Sequence, residues 1–460
     1  MTSPAFILVV LLVALCAGSG AAQDLSLPGP YAGGWRSVTV SRPDATTFTA
    51  RVYYPAVAPG QNAVRDEAPS PSPGVSFGHG FFTPVTSYQS TLLHLATHGY
   101  IVIASESEGG LFPSHARFAA DISACLTFLT QQSGMLGSWL EGAVDPGRLG
   151  VSGHSMGGGA CMLAAAGDGR VKGVVPLAPA DTNPSAVSAA GALIMPTTII
   201  VGTQDTIVPT ASHGQPMFNA LPGARRLLSI TGGFHCGFID ANSFGCDSAG
   251  MTRAEQLAIV RAALTAFCDL HLRGDQSRAA LVWDPAMQSD ARVTVTLDPN
   301  LTIQPPDSPV AVVPGRGQPV TVVVGNTGPS GTQVSVLGGS AWIAITPDPI
   351  VLAAGASVGV DAVLRVPAGI GLPTSVNIGV SVRSVDNARA YASFAVRAEC
   401  SSDFNGDGDF GTDQDIEAFF TCLAGACCGT CGDADFNNDG DTGTDQDIEA
   451  FFRVLSGAAC

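Results

Sequence analysis

Positive charge is scarce in this chain of 460 residues: 21 Lys and Arg face 38 Asp and Glu, a formal net charge of −17. A surface so poor in cations has little with which to neutralise phosphates, which argues against nucleic acid as a partner. Long apolar runs are also missing once the amino terminus is passed, and no later segment offers the roughly 20 apolar residues of a membrane helix. The early run, Phe6 to Gly18, is too short for a membrane anchor and leads into small residues up to Ala22. It reads as a secretory signal over residues 1–22, although its first residues carry no Lys or Arg. The sequence therefore predicts an exported, extracellular protein with no transmembrane segment.

Export makes the 12 cysteines interpretable. Removing Cys16 with the signal leaves an odd number, so at least one stays free or pairs between chains if the rest are bridged. Disulfides are the expectation for the cluster Cys400, Cys422, Cys427, Cys428, Cys431 and Cys460. A zinc knot in "CCGTC" lacks a second matching pair or a histidine.

Residues 23–285 alternate apolar strand patterns with helical ones, which argues for a largely parallel sheet covered on both faces. "WRSVTVSRP" and "TFTARVYYPA" read as a leading antiparallel pair. Residues 286–399 change texture: Val- and Thr-rich runs separated by Gly, Pro and Asn predict a small Ig-like β-sandwich. Residues 400–460 hold eleven Asp and two Glu against one Arg, a net −12. Two near-identical stretches, "DFNGDGDFGTDQDIEAFF" from Asp403 and "DFNNDGDTGTDQDIEAFF" from Asp435, repeat there with a period of 32 residues and mark two copies of one unit.

Glycine, by contrast, is abundant, with 55 residues, so the pattern G-x-S-x-G occurs by chance. It is found at Gly74–Gly78, Gly153–Gly157 and Gly355–Gly359. Only the middle copy has an apolar strand pattern before it and a helix-forming "ACMLAAAG" after it, as a nucleophile elbow requires. Ser155 is therefore the candidate nucleophile. Gly153 and Gly157 remove side chains that would collide beside a strained serine, and Gly158 and Gly159 let the following helix pack closely on the sheet.

A serine hydroxyl needs a base, and the base needs an acid to hold it. In sheets of this kind the three follow in the order Ser, Asp, His. "TTIIVGTQD" ends at Asp205, and the next strand runs into "TGGFHCGF", which presents His235. Asp205 could instead only cap the following helix. His213, His271 and His154 compete with His235, but none follows a strand that comes after Asp205. The oxyanion formed in acyl transfer needs fixed N–H donors. Met156, directly after the serine, supplies one; Phe81, in the "FGHGFFTP" loop, supplies the other.

"RLGVSGHSMGGGACMLAA", "PTTIIVGTQDTIVPTASHGQPMFNALPGA" and "HCGF" resemble the bacterial cutinases and polyester (PET) hydrolases of the α/β-hydrolase superfamily. The resemblance covers about residues 35–275. It implies an α/β-hydrolase fold and a serine esterase with Ser155, Asp205 and His235 as triad, Phe81 and Met156 at the oxyanion hole, and no catalytic cofactor. Phe81 and the position of Ala180 would line the substrate site; polyester hydrolases usually place a Trp where Ala180 stands. The "HGFF" loop with its downstream tyrosine is more similar to chlorophyllases. The alternatives are thus a chlorophyllase- or lipase-type esterase on small lipidic esters, or an inert surface adhesion or scaffold protein.

In the tail, oxygen-bearing side chains at alternate positions followed by glycine suit a hard cation such as Ca²⁺. The repeat resembles type I dockerins, which bind calcium and dock onto cohesin domains. The resemblance maps ligands onto Asp403, Asn405 and Asp407, and onto Asp435, Asn437 and Asp439. Gln414 and Gln446 stand where an acid is expected, and one inserted residue would move that role to Asp415 and Asp447.

Overall fold

The computed structural model describes residues 24–457, apart from 244, 285–289, 314–316, 346–348, 367–373, 399, 430 and 432. The expected signal segment lies outside the described residues, as do Cys16 and Cys460.

The catalytic-type region is built on a ten-stranded sheet. Its strands are β1 (Ala32–Ser41), β2 (Thr47–Ala56), β3 (Gly60–Gln61), β4 (Ser72–Gly78), β5 (Ile101–Ser105), β6 (Val144–His154), β7 (Val171–Leu177), β8 (Thr197–Gly202), β9 (Arg225–Ile230) and β10 (Val293–Asp298). They lie side by side in the order β10-β9-β8-β7-β6-β4-β5-β2-β1-β3. From β5 through β9 the neighbours are parallel. β1 and β2 form the expected antiparallel pair, with β2 against β5. The central strands read as unbroken apolar runs because both faces are covered: β4, β5 and β8 are buried at every residue.

Helices supply that cover. On one face α1 (Gln89–Thr97) and α6 (Arg253–Cys268) pack with the short α7 (Ala279–Trp283), around Leu92, Leu264, Phe267 and Trp283. On the other, α2 (His115–Gly134), α3 (Met156–Gly167), α4 (Ala186–Ala190) and α5 (Gly214–Ala220) enclose Ile122, Leu126, Ala160 and Phe218. This is the α/β-hydrolase architecture, with β6 and α3 at its centre.

The structure moves one boundary. The sequence pattern ends this region at residue 285 and assigns "VTVTL" to the sandwich. In the structure Val293–Asp298 is β10, paired antiparallel with β9 from Val293↔Ile230 to Asp298↔Arg225. Alternating Val and Thr specify a strand with one wet face, and that pattern suits the edge of either sheet. The sandwich begins at Leu301. One sheet orders Leu301–Gln304, Gly317–Asn326, Ser357–Arg365 and Ile343–Ile345; the other has five strands, centred on Thr374–Ser384. Val322, Val324, Val380, Val382 and Phe394 form its core.

The tail follows with α8 (Asp413–Leu423) and α9 (Asp445–Leu455). The repeat is reproduced down to the cap: Thr412 and Thr444 have the same φ of −83° and ψ of 168°, and each closes a capping box with the acid three residues on. Phe419 and Phe451, equivalent positions of the two copies, stack at 4.0 Å between ring centroids. Each amphipathic helix thus buries its apolar stripe against the other. The cysteines Cys422–Cys427 and Cys428–Cys431 are bridged, so "CCGTC" is a disulfide turn and not a zinc knot.

Candidate active site

Ser155 sits between the last residue of β6 and the first of α3, at φ 57° and ψ −120°. A side chain in this left-handed region costs on the order of 1–3 kcal/mol and persists only where neighbours enforce it. They do so here. The Ser155 amide donates to Leu177 O at 2.9 Å, and its carbonyl accepts from Gly159 at 3.1 Å and Ala180 at 3.0 Å. The flanking glycines are obligatory: a Cβ on Gly157 would lie 2.1 Å from Gly78 O, and one on Gly153 would lie 2.3 Å from Gly157 O. Ala180 is therefore beside the elbow.

Asp205 and His235 come from neighbouring strands, β8 and β9, whose ends touch. A Cβ on Gly202 would lie 2.4 Å from Gly233, and Gln204 N donates to Gly233 O at 2.8 Å. This contact aims both following turns at one place. Asp205 Oδ2 lies 2.7 Å from His235 Nδ1, with both side chains buried. A carboxylate only accepts, so Nδ1 carries the proton and Nε2 is left as the basic nitrogen. Asp205 caps no helix, since α5 begins at Gly214 behind His213; its Oδ1 instead accepts from Ile207 N at 2.9 Å and Val208 N at 2.7 Å in the intervening turn. One oxygen shapes the turn, the other holds the imidazole.

The serine and histidine are linked through His154. Its ring packs on His235 at 4.5 Å and on Phe238 at 5.5 Å. Burial, and after it the neighbouring His235, pushes the His154 imidazole well below its usual range, so it is neutral at pH 7. Among the described residues the Ser155 hydroxyl makes no hydrogen bond to His235. Contacts of this kind often stay long until substrate draws them together.

The "HGFF" loop crosses over the serine. A Cβ on Gly80 would lie 3.4 Å from Ser155 Cβ, so the backbone just before Phe81 runs close to the serine. Neither the Phe81 nor the Met156 amide has a hydrogen-bond partner among the described residues, so both remain free to donate. The loop is tied down by Tyr88, whose hydroxyl accepts from Gly80 N and donates to His154 Nδ1, each at 2.9 Å. His79 adds ring contacts to Gly80 O and Ser107 O at 2.8 Å. The Phe81 ring itself is half exposed at the rim, with Phe82, Leu111 and Phe112 also exposed.

The competing histidines have other tasks. His213 is the N-cap position of α5, and its Nδ1 accepts from Asp181 N at 3.0 Å. His271 is far along the chain of contacts to the sandwich, facing Asp386 O at 2.8 Å and the Trp283 indole at 3.1 Å. Tyr88 is the tyrosine downstream of the "HGFF" loop that the sequence pointed to. Asp247, which no sequence pattern singled out, also stands at the site, in an irregular loop after His235 that carries no motif.

The tail differs from its sequence reading at the acids assigned the last ligand position. Asp415 Oδ1 accepts from Phe404 N at 2.8 Å and Asn405 N at 3.2 Å; Oδ2 accepts from Thr412 N at 2.8 Å and from its hydroxyl at 2.9 Å. Asp447 repeats the pattern with Asn437 and Thr444. Four donors occupy the Asp415 carboxylate, so it does not fit as a cation ligand. Both acids are capping-box residues instead. Asp403 accepts from the amides of Gly406, Asp407 and Gly408, which curl the loop around it. Among the described residues no group of three or more His, Cys, Asp or Glu is gathered as a metal site.

With this geometry in place, similarity to known proteins becomes informative. A family model described as PETase, PET hydrolase-like, matches residues 26–252. A bis(hydroxyethyl) terephthalate hydrolase of Streptomyces coelicolor is 32% identical over 167 residues, 35% of this chain and 51% of the relative. A cutinase of Thermobifida alba is 33% identical over 130 residues, 28% of this chain and 41% of the relative. A cutinase of Thermobifida cellulosilytica is 32% identical over 143 residues, 31% of this chain and 52% of the relative. The chain thus spans about half the length of the curated relatives it matches. Among the described residues no helix is long and apolar enough to cross a membrane.

Proposed function

We propose that this chain is a serine carboxylic ester hydrolase of the cutinase and polyester-hydrolase type, acting through an acyl-enzyme. The observation that carries the reading is the 2.7 Å contact of Asp205 with His235 Nδ1, beside a serine held at a strained elbow. Similarity to proteins named as cutinases and a terephthalate ester hydrolase supports it.

In this reading Ser155 Oγ attacks the ester carbonyl carbon while His235 Nε2 takes the hydroxyl proton. The carbonyl oxygen becomes an oxyanion facing the amides of Phe81 and Met156, which were free before substrate arrived. Asp205 stabilises the imidazolium and keeps its tautomer. Collapse breaks the ester C–O bond, and His235 returns the proton to the leaving alkoxide. A water molecule, deprotonated by the same nitrogen, then cleaves the acyl-enzyme. No cofactor takes part.

The exposed Phe81 and Phe82 and the small Ala180 make an open, apolar-rimmed site, which suits bulky or polymeric esters. A chlorophyllase- or lipase-type activity on small lipidic esters is the second reading, and the His79-Gly80 loop anchored by Tyr88 is the feature that favours it. Export through residues 1–22 accords with such substrates. For the tail we propose a dockerin-like attachment role toward a cohesin-like or cell-surface partner, supported by the two-fold repeat and its paired helices. Calcium there would rest on Asp403, Asn405 and Asp407, and on Asp435, Asn437 and Asp439, without Asp415 or Asp447.

The test is hydrolysis of p-nitrophenyl butyrate by the full chain and by Ser155→Ala. Loss of turnover in the variant supports the reading, whereas unchanged turnover also leaves the adhesion or scaffold alternative standing. Release of aromatic acid from polyester film, set against a lipidic ester, then separates the two esterase readings.

A further inference from the structure

The segment after His235 loops outward and returns to α6. Cys236 and Cys246 are bridged, which closes a loop of ten residues and brings Asp247 back beneath the imidazole-bearing turn. There Asp247 meets the backbone of two different loops. Its Oδ2 accepts from His235 N at 2.9 Å and from Thr206 N at 3.3 Å, and its Oδ1 accepts from Cys236 N at 3.0 Å. Thr206 is the residue after Asp205. One carboxylate therefore holds the amide of the base itself, the amide next to it, and the amide adjoining the acid.

We propose that Asp247 is a positioning residue for the reaction: it sets the spacing of the Asp205 turn and the His235 turn. This rests on the triad reading given under the proposed function. Asp205 and His235 stand on loops, and loops without a shared support drift independently. The β8 and β9 ends touch at Gly202 and Gly233, but that contact lies before both turns and leaves their far sides unsupported. Asp247 closes the far side. Its bonds are charge-assisted, and amides make no competing side-chain choice, so the three donors fix the carboxylate and the carboxylate fixes them. The surrounding loop is anchored as well: Arg253 Nε donates to Cys236 O at 3.3 Å, and Gly250 N reaches Gln204 Oε1 at 3.4 Å. The Asp247 carboxylate is met by the backbone amides of His235, Cys236 and Thr206, so its effect passes through His235 and Asp205.

The experiment compares the full chain with Asp247→Ala, Asp247→Asn and Ser155→Ala. A misplacement of about 1 Å costs up to about a hundredfold in rate. The expected result for Asp247→Ala is a fall in kcat of about ten- to a hundredfold on p-nitrophenyl butyrate with KM within about twofold. Asp247→Asn, which keeps one acceptor oxygen, should fall between it and the parent. Proton NMR supplies a readout that a merely structural role would not move: the downfield resonance of the His235 Nδ1 proton should shift or broaden in Asp247→Ala while the fold melts well above the assay temperature. If Asp247→Ala does not fold, Asp247→Asn carries the same comparison. Parental kcat and an unshifted downfield proton in a folded Asp247 variant would overturn the proposal. Should Ser155→Ala retain full turnover, the triad reading fails first; an inactive Ser155→Ala beside a fully active Asp247 variant rejects the positioning role alone.

Discussion

Asp205 divides its two oxygens between two jobs: Oδ2 meets His235 Nδ1 at 2.7 Å, while Oδ1 accepts the amides of Ile207 and Val208. The helix cap that the sequence left open for Asp205 is not formed, since α5 starts only behind His213; a turn-shaping role and the contact with the imidazole share one side chain instead. Asp205→Asn separates them. An amide oxygen still accepts from the turn, but the group at Oδ2 is now uncharged and able to donate, which favours the wrong imidazole tautomer. We expect kcat to fall by about 10³- to 10⁴-fold with little change in melting temperature, by the logic of serine triads generally. Asp205→Ala should lose both rate and stability. Steady-state kinetics and thermal melts on the two variants check this.

The elbow makes a steric prediction. A methyl group on Gly157 would lie 2.1 Å from Gly78 O, a backbone atom of the central sheet that has nowhere to move. Gly157→Ala should destabilise by at least about 3 kcal/mol or prevent folding. Gly167, at the other end of α3, has nothing within 4 Å of such a methyl. Gly167→Ala should be neutral or stabilise by up to about 1 kcal/mol. Equal effects in urea melts would contradict the packing described here.

The contrast shows what the sequence made legible. Ser155, Asp205 and His235 were readable because strand and helix patterns place them at strand ends in a fixed order, and the structure brings Asp205 and His235 into contact. The position of the "HGFF" loop beside Ser155 was readable because "HG" follows β4. The tyrosine downstream of that loop was visible too, but its bonds to Gly80 and His154 were not, and Asp247 was not visible at all, because it acts across the chain on Thr206. Long-range hydrogen bonds leave no period. β10 was misassigned for a related reason, since alternation specifies a strand face but not the strand beside it. In the tail the spacing of Asp415 was visible, yet the choice between cation and capping amides depends on where four donors converge.

Buried histidines give the protein an acid-side weakness. Burial lowers His94 to about 4, and burial, and after it the adjacent His235, lowers His154 well below its usual range. Their folded values lie below the unfolded value near 6.5, so between those limits the unfolded chain binds protons that the folded chain refuses. Stability therefore falls as pH drops below about 6.5, by about 1 kcal/mol per pH unit for each such histidine. Melting temperatures measured from pH 7 down to pH 5 should decline, and His94→Gln should flatten the slope. A melting temperature constant across that range would count against neutral burial.

The tail predicts its own response to chelation. Since the Asp415 carboxylate is met by protein donors and Phe419 stacks on Phe451, we expect the helix pair to stay closed when any cation is removed. Excess EDTA should leave its melting transition within about 2 °C, a shift below that of a 1 kcal/mol change. A drop larger than about 5 °C that calcium restores would mean that a cation holds these loops together.

The most direct measurement is covalent. The full chain is incubated with diethyl p-nitrophenyl phosphate, which transfers its phosphoryl group to an activated serine, and the product is mapped by mass spectrometry. The account predicts one phosphorylated site per chain, on the peptide containing Ser155, with p-nitrophenyl butyrate turnover lost in proportion to labelling. Label on another residue, or full turnover in a chain quantitatively labelled at Ser155, would contradict it.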